Sequence, residues 1–531
     1  MDIHCDYGDV QYGDVPITHL ILEACDKYSN DIALIQAETG QQLTYKELKN
    51  GILATGSFFH QSGLRKGDVV MVFSTNHIYY PLAWLGIGHI GAIVTTANPL
   101  YTAEELARQI EMTKPKYLIT RTAFLQTAKQ AVQKLGGVKE IFCFDGPAPG
   151  CSPYSKVISA NPRDCPEVNV YPDDVFTIPC SSGTTGLPKG VKIPNKAFVA
   201  CLGAMGHPEF TVFGERRDVA LAVVPFYHIL GMGVYMGLTF FEGVKTIVHE
   251  RFEIEKFFDS LQRYKVTMMG IAPPIAVVIA KHPLGLKTDM SSLKYILCGA
   301  APLADSVLEQ VQKRIPQVKV IQAYGLTETL AVTMEPKNHL VPGSIGKALP
   351  NCTLRVVDPD SGRSLGPNKE GEIWVKCPFL CKGYLGNKKA TDDFFSSDGF
   401  AKTGDIGYYN KDNVFYLVDR SKELIKYKGY QVAPAELESI LLSHPSIEDA
   451  AVIGIPDEAA GELPFAFIVR KPGMESLTQK DVFDHVKGQV SPQKWLRGGV
   501  EFRDAIPKLP SGKILRRVLR DELKKRRSSK L

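Results

Sequence analysis

The chain has 531 residues, of which 44% are hydrophobic and 22% charged, and its formal net charge is +5 at pH 7. One hydrophobic core supports roughly 250–300 residues, so this length predicts two or more domains. The charge is small for the size and argues against a nucleic-acid-binding protein. The most apolar stretch, 219–248, contains Pro225, His228 and Glu242, which indicates buried core rather than a transmembrane segment.

Helical and strand patterns alternate from the N-terminus to about residue 400. Thr44 and Glu47 form a predicted capping box before a helix that ends near Ser62, and Thr102 and Glu105 form another. Apolar strands separated by helices are typical of parallel sheets covered on both faces. The predicted strands lie at 69–73, 92–96, 117–120, 141–144, 174–178, 190–193, 219–224, 266–271, 295–298 and 318–322.

The later part of the chain has a different organisation. Residues 351–376 combine short strands with turn signals, which predicts a small β subdomain, and a domain boundary is expected at 419–422. We therefore predict an α/β protein. Its large N-terminal domain, 1–419, has mainly parallel sheets flanked by helices plus the small β subdomain, and its smaller C-terminal domain, 420–531, is mobile and α+β. The elements predicted beyond the boundary are a helix that begins at Pro434, strands at 450–455 and 465–469, and a helix at 515–527.

Residues 181–190 carry four hydroxyl side chains, three glycines and one lysine between two predicted strands. Glycines bring backbone N–H groups close to a ligand, hydroxyls add donors and lysine adds positive charge, so this loop suits a polyphosphate. The alternative, a flexible linker, does not fit a position between core strands. It is not a Walker A loop, because Pro188 precedes the lysine and no Ser or Thr follows it. The residues concerned are Ser181, Ser182, Gly183, Thr184, Thr185, Gly186 and Lys189.

A second polar segment, 322–329, directly follows a predicted strand. Ligands bind at the carboxyl ends of strands in open α/β sheets. There Tyr324 suits stacking on a base, Thr327 suits donation to phosphate, and Glu328 suits a divalent cation. The alternative is a β-to-α turn in which Thr and Glu cap a helix, and the segment alone does not decide between the two.

Three further residues are weaker candidates when each is taken alone. Asp405 ends a strand-like region and suits ribose hydroxyls, although a simple turn would also place an Asp there. His228 lies among apolar residues, which is also typical of a core histidine. Lys513 follows a loop with two prolines and a glycine, which would present it to a ligand or leave it as a surface lysine.

Together and in this order, the segments resemble the superfamily of adenylate-forming enzymes: acyl-CoA synthetases, 4-coumarate–CoA ligases and beetle luciferases. The resemblance covers nearly the whole chain. It implies that Glu328 holds magnesium, that Lys422 is at a hinge, that Lys426 serves the adenylate and the second step, and that Lys513 is essential in the first. It places the nucleotide at the 181–190 loop and at Gly299, Ala300, Ala301, Gln322, Ala323, Tyr324, Gly325, Thr327, Asp405, Arg420 and Gln431.

The resemblance implies an ATP-dependent carboxylic acid–CoA ligase. Such an enzyme forms an acyl-adenylate with release of pyrophosphate and then transfers the acyl group to coenzyme A, so ATP, magnesium and coenzyme A are the implied cofactors. The C-terminal domain would rotate about 419–422 between the two steps and withdraw Lys513. The implied acid is aromatic and 4-coumarate-like, or of medium or long chain. Its pocket is expected around Tyr227, His228, Met232, the segment 299–301, Gly325 and Ala331.

Two alternatives stay open at this point. The first is a luciferase-like monooxygenase that adenylates a luciferin and oxidises it with light emission, since the segment 423–438 resembles luciferases and coumarate ligases equally. The residues 229–232 are Ile-Leu-Gly-Met where beetle luciferases carry Gly-Phe-Gly-Met, and Ala331 replaces their Ser, which favours a ligase. The second is a non-catalytic ATP-binding scaffold, disfavoured because every catalytic position holds a competent residue.

The two ends of the chain and its cysteines bear on location. The N-terminus lacks the basic and apolar regions of a secretory signal. The chain ends in Ser529, Lys530 and Leu531, which at a free C-terminus match a peroxisomal address read by an import receptor. The basic segment before these three residues is interpreted as a solvated helix face. The eleven cysteines are expected to be reduced in an intracellular compartment, and the one close pair, Cys377 and Cys381, is a weak metal signal.

Overall fold

A computed structural model describes residues 1–181, 188–214, 218–301, 303–420, 423–427, 430–457, 460–490, 492–508, 512 and 514–528, with residues 419, 420, 426, 430, 431, 527 and 528 described by their backbone alone. The strands of this part of the chain are β1 (Ile32–Gln36), β2 (Gln42–Thr44), β3 (Val69–Phe73), β4 (Ile93–Ala97), β5 (Tyr117–Thr120), β6 (Glu140–Cys143), β7 (Ser152–Pro153), β8 (Val175–Thr177), β9 (Cys180–Ser181), β10 (Lys189–Gly190), β11 (Ile193–Pro194), β12 (Val219–Ala222), β13 (Lys245–Val248), β14 (Met268–Ile271), β15 (Tyr295–Cys298), β16 (Lys319–Leu326), β17 (Leu330–Met334), β18 (Lys347–Ala348), β19 (Thr353–Val357), β20 (Gly371–Lys376), β21 (Ala401–Tyr409), β22 (Phe415–Arg420), β23 (Ile425–Tyr427), β24 (Tyr430–Val432), β25 (Ile447–Asp457), β26 (Gly461–Arg470) and β27 (Gly499–Phe502).

The helices of the same residues are α1 (Ile17–Lys27), α2 (Tyr45–Gln61), α3 (Tyr80–His89), α4 (Ala103–Thr113), α5 (Leu125–Leu135), α6 (Ser155–Ile158), α7 (Asn195–Met205), α8 (Ile229–Gly233), α9 (Thr239–Phe241), α10 (Ile254–Arg263), α11 (Pro273–Lys281), α12 (Asp305–Arg314), α13 (Lys388–Phe394), α14 (Pro434–Ser443), α15 (Gln479–Lys487) and α16 (Arg516–Ser528). A π-helical turn at Val234–Leu238 lies between α8 and α9. None of the helices in the described ranges combines the length and the apolar character that crossing a bilayer requires.

Two large sheets dominate the N-terminal part of the fold. The first has the order β18-β17-β16-β15-β14-β12-β13-β1-β2, with parallel pairing from β16 to β1 and antiparallel pairing at both edges. The second has the order β11-β8-β4-β3-β5-β6-β7 and is parallel except where β11 joins β8. Their central strands are almost wholly buried, as expected for parallel sheets packed on both faces. The predicted α/β class is confirmed.

Smaller sheets complete the chain. Strands β19 to β22 form a four-stranded antiparallel sheet, the predicted β subdomain, and β23 to β27 form a sheet packed with α14 to α16. Two clusters of buried apolar side chains belong entirely to residues 425–523, apart from the core that fills the N-terminal sheets. The boundary at 419–422 stays a prediction, and Lys422 lies outside the described residues.

Local sequence signals set the helix starts. Thr44 accepts from the backbone N–H of Glu47 while the Glu47 carboxylate accepts from the backbone of Thr44, and Thr102 and Glu105 do the same at α4. Both predicted capping boxes are therefore confirmed. Pro434 begins α14 as predicted, because proline fits a first turn whose N–H groups have no intrahelical partner.

Three local predictions are wrong, each because a distant segment decides the backbone pairing. The single strand predicted at 190–193 is split, since Val191 pairs with Tyr384 between β10 and β11. The strand predicted to end at Gln322 continues to Leu326 and turns into the antiparallel strand β17, so the alternative β-to-α turn is excluded. Asp405 lies in the middle of β21, rather than at its end, because β20 and β22 extend the ladder on both sides.

The basic C-terminal segment is only partly a solvated face. The Arg516 guanidinium donates to both carboxylate oxygens of Glu438 at 2.8 and 2.7 Å, and Arg520 donates to Glu423 at 3.0 Å. Arg516 and Glu438 keep only 13% and 10% of their side chains exposed. Both bonds come from one guanidinium nitrogen, and such buried, charge-assisted hydrogen bonds are strong, so these contacts anchor α16 on α14.

Candidate active site

A two-stranded ribbon closes the predicted phosphate loop. Ser181 of β9 pairs with Lys189 of β10, and Cys180 pairs with Gly190, so the two ends of the loop are held side by side. The backbone N–H of Leu385 donates to the carbonyl of Gly190 at 2.8 Å. The loop residues Ser182, Gly183, Thr184, Thr185 and Gly186 lie outside the described residues.

Two segments predicted to hold the nucleotide, 299–301 and 322–325, lie next to each other, because the first follows β15 and β15 pairs in parallel with β16. Gly299 donates to the carbonyl of Ile271 at 3.1 Å, and Leu303 donates to the Gln322 side chain at 3.3 Å. Ala300 has φ +71°, a left-handed conformation that costs a residue with a Cβ about 1 kcal/mol. Backbone strain of this kind is concentrated at functional sites. Ala301 and Ala323 lie half-buried on the same two segments.

Tyr324 and Asp405 are joined directly across the site. The Tyr324 hydroxyl donates to Asp405 Oδ2 at 2.8 Å, and both residues are buried, with 8% and 2% of their surface exposed. Asp405 stands opposite Arg420 in the pairing of β21 with β22. Two residues that sequence reasoning assigned to one nucleotide, although 81 positions apart, therefore meet in the fold.

Glu328 and Thr327 lie in the turn between β16 and β17. The Tyr384 hydroxyl donates to Glu328 Oε1 at 2.9 Å, and the Cys381 backbone N–H donates to the Glu328 carbonyl at 2.8 Å. Burial first, and then the charge of Glu328, raise the pKa of Tyr384 well above its usual range, so the phenol stays protonated and donates. Lys189 Nζ lies 4.9 Å from the centroid of the Tyr384 ring, so Lys189, at the end of the predicted phosphate loop, and Glu328 contact the same tyrosine.

The residues predicted to line the acid pocket differ in exposure. Tyr227, His228, Gly325 and Ala331 are half-buried, while Met232 is fully buried in the core. His228 precedes α8, and its Nδ1 accepts from the backbone N–H of Leu230 at 3.4 Å, which orients the ring. Gly325 is tightly enclosed, because a Cβ there would lie 1.7 Å from the carbonyl oxygen of Leu330. This position tolerates glycine only.

A segment from the C-terminal part of the chain reaches the same region. Gly512 has φ +82°, and a Cβ at this position would lie 2.7 Å from Cγ and Cδ of Pro274, in the first turn of α11. Lys426 stands opposite Gln431 in the pairing of β23 with β24, although their side chains are outside the description. Lys513 also lies outside the described residues.

Sequence reasoning missed Tyr384. It lies 56 positions from Glu328, in a segment with no phosphate-binding or acidic pattern, and only the three-dimensional contact identifies it. It also missed the approach of Gly512 to Pro274, since a Pro/Gly loop does not specify its partner.

These contacts define the class of protein. The β9–β10 ribbon that flanks the hydroxyl- and glycine-rich segment, a buried Tyr–Asp pair and a supported carboxylate lie towards the carboxyl end of a parallel sheet, while a C-terminal segment approaches α11. This is the arrangement of an adenylate-forming enzyme.

Comparisons with known proteins agree with this class. The AMP-binding enzyme family model matches residues 21–385, and the model of the AMP-binding enzyme C-terminal domain matches 436–513. The 4-coumarate–CoA ligase CCL1 of Humulus lupulus is 37% identical over 519 residues, covering 96% of this chain and 94% of that protein. The 4-coumarate–CoA ligase 2 of Nicotiana tabacum is 38% identical over 517 residues, with the same coverage.

Solved structures extend the comparison to the fold. ATP-bound MatB from Rhodopseudomonas palustris superposes with a TM-score of 0.87 at 26% identity, over 96% of this chain and 99% of that one. Apo MatB from the same organism gives a TM-score of 0.76 over the same shares of the two chains. The chain belongs to the AMP-binding enzyme family, and it is an acid–thiol ligase that forms AMP and acyl-CoA. ATP and coenzyme A are its substrates beside the acid.

Proposed function

We propose that this ligase activates an aromatic, 4-coumarate-like acid. The observation that carries the proposal is the similarity to 4-coumarate–CoA ligases along nearly the full length of the chain. The small, half-buried Ala331 is consistent with room for a ring, together with Tyr227 and His228, whereas the backbone of Leu330 fills the space beside Gly325. Pocket volume alone separates acids poorly, because one methylene is worth only about 1–3 kcal/mol of discrimination, so medium and long chains are the competing substrates.

We assign the nucleotide to the pair Tyr324 and Asp405 and to the 181–190 loop. In this proposal Tyr324 stacks on adenine, Asp405 accepts from the ribose, and the loop amides, hydroxyls and Lys189 hold the phosphates. Thr327 donates to a phosphate oxygen, and Arg420 and Gln431 lie near the adenylate. The direct hydrogen bond of Tyr324 to Asp405 supports a shared ligand.

Magnesium fits Glu328. Glu328 is 8% exposed, and the described residues contain no group of three or more His, Cys, Asp or Glu side chains suited to a metal. Mg²⁺ typically uses one or two carboxylates with substrate phosphates, so a single Glu beside the phosphate loop matches its chemistry. When bound, the ion would offset negative charge on the phosphates.

The first step has an electrostatic obstacle, since a carboxylate must attack the α-phosphate of ATP and both are anions. We propose that Lys513 contacts both and cancels their repulsion, while the loop holds the departing pyrophosphate. In the second step the thiol of coenzyme A displaces AMP from the acyl carbonyl, with Lys426 and His228 beside the adenylate. Rotation of the C-terminal domain about 419–422, with Lys422 as hinge residue, would withdraw Lys513 after the first step and bring Lys426 to the adenylate for the second.

The test incubates the protein with ATP, Mg²⁺, coenzyme A and a panel of 4-coumarate, ferulate, hexanoate and palmitate. We expect AMP release with thioester formation, with kcat/KM highest for the hydroxycinnamates. A fatty acid with the higher kcat/KM would contradict the proposed substrate, as would AMP formation with none of these acids. The relatives reported above are ligases, and light emission with a luciferin, the remaining alternative, is not expected.

We propose peroxisomal import through the C-terminal residues Ser529, Lys530 and Leu531, which lie outside the described residues. A fluorescent protein fused to the N-terminus should accumulate in peroxisomes. Removal of the last three residues should make the fusion diffuse, whereas unchanged peroxisomal fluorescence would contradict this signal. Changing Lys525 to Ala, in the same basic segment, is the matched control and should leave import intact.

A further inference from the structure

The segment 381–385 connects the two halves of the proposed phosphate and metal site. Its backbone contacts both sides: Cys381 donates to the Glu328 carbonyl, and Leu385 donates to the Gly190 carbonyl, each at 2.8 Å. Between these two points, Tyr384 pairs with Val191, and Gly383 accepts from the Lys192 backbone at 3.0 Å. The segment is therefore hydrogen-bonded to the strand that ends the phosphate loop and to the turn that carries the acidic residue.

The Tyr384 side chain also contacts a residue on each side of the proposed site. Its hydroxyl donates to Glu328 Oε1 at 2.9 Å, and its ring lies under Lys189 Nζ at 4.9 Å. The ring is fixed from another side by Phe394, whose centroid is 5.9 Å away at an interplanar angle of 71°. With only 9% of its surface exposed, the phenol has little freedom to leave Glu328.

We propose that Tyr384 is a positioning residue that fixes the Glu328 carboxylate and the Lys189 ammonium in one geometry for the metal–nucleotide complex. The inference rests on the proposed role of Glu328. A hydrogen bond accepted at Oε1 fixes the rotation of the carboxylate and keeps Oε2 available to a cation. The ring face attracts the ammonium, which limits the directions in which Lys189 extends.

The test uses binding rather than turnover. Mn²⁺ is titrated into the protein with α,β-methylene-ATP, and free Mn²⁺ is followed by its EPR signal. In Tyr384→Phe, which keeps the ring but loses the donor, we expect about tenfold weaker Mn²⁺ binding, because loss of a ligand's hydrogen-bond partner typically costs roughly 10–100-fold in metal affinity. Metal-free binding of the nucleotide should stay at the wild-type value. Tyr384→His, which supplies a ring N–H, should recover part of the Mn²⁺ affinity.

The matched control is Tyr154→Phe, since Tyr154 is also buried and hydrogen-bonded through its hydroxyl, to Thr55 at 3.0 Å. It should lower thermal stability without changing Mn²⁺ affinity. Equal Mn²⁺ affinity in Tyr384→Phe and wild type would overturn the proposal, as would an equal loss in Tyr154→Phe. Absence of Mn²⁺–nucleotide binding in the wild type would instead refute the assigned metal site, so the two failures are distinguishable.

Discussion

Replacing Lys513 with alanine is expected to lower the rate of acyl-adenylate formation about 100-fold or more, which is typical for loss of a main charge-stabilising group. The physical reason is that the acid and ATP are both negatively charged at the reacting atoms. The same variant should retain thioester formation from a synthetic acyl-adenylate, because that step joins a thiol to an activated carbonyl and breaks no phosphoanhydride bond.

Single-turnover assays separate the two half-reactions. The first is followed by release of pyrophosphate in the absence of coenzyme A, and the second by acyl-CoA formation from the purified adenylate. Lys480→Ala is the matched control, since Lys480 is exposed, belongs to the same C-terminal unit and forms an i,i+4 ion pair with Asp484 on the surface of α15. An equal loss in both half-reactions of the Lys513 variant would refute the assignment of this lysine to the first step.

Signals confined to a few residues were predictable from the sequence. The capping boxes at Thr44 and Thr102 need only a hydroxyl and a carboxylate three residues apart, and the apolar runs at Val69–Phe73 and Tyr117–Thr120 match their strands to the residue. Such features depend on local hydrogen bonding and on burial, both of which are encoded in adjacent residues.

Features that depend on pairing with distant segments were not predictable in this way. The strand β16 extends to Leu326 because β17 returns along it, and nothing within 318–322 specifies that return. Contacts between distant residues of the candidate site were equally hard to predict from the sequence. Tyr324, Glu328 and Asp405 were found through motif order, whereas Tyr384 became visible only through its contact with Glu328.

The contact of Gly512 with Pro274 bears on the domain arrangement. It brings the residue before Lys513 to the first turn of α11, near Gly299, which itself bonds to Ile271 at the end of β14. Because Lys513 is assigned to the first half-reaction, we interpret this approach as the arrangement that serves adenylation. Any change that prevents this approach should therefore impair adenylation selectively.

Gly512→Ala tests that argument. An added Cβ would lie 2.7 Å from two atoms of the Pro274 ring, and φ is +82° at this residue, so the substitution combines overpacking with an unfavourable backbone conformation. These penalties sum to about 2 kcal/mol or more in the docked arrangement, which predicts a roughly 30-fold slower adenylation step. Thioester formation from supplied adenylate should stay within about twofold of wild type, since the overpacking against Pro274 does not apply once the contact is broken.

A second substitution makes the steric cause testable. Pro274→Ala removes the Cγ and Cδ atoms that the new Cβ would meet, so the double variant should recover part of the adenylation rate, although the backbone cost at Gly512 remains. Pyrophosphate release in single-turnover experiments measures the recovery, and thermal unfolding checks that each variant is folded. If Gly512→Ala slowed both half-reactions equally, or if Pro274→Ala gave no recovery, the contact would not govern adenylation. If the double variant recovered the rate of the first half-reaction alone, the approach of the Gly512 segment to α11 would be part of the state that forms the adenylate.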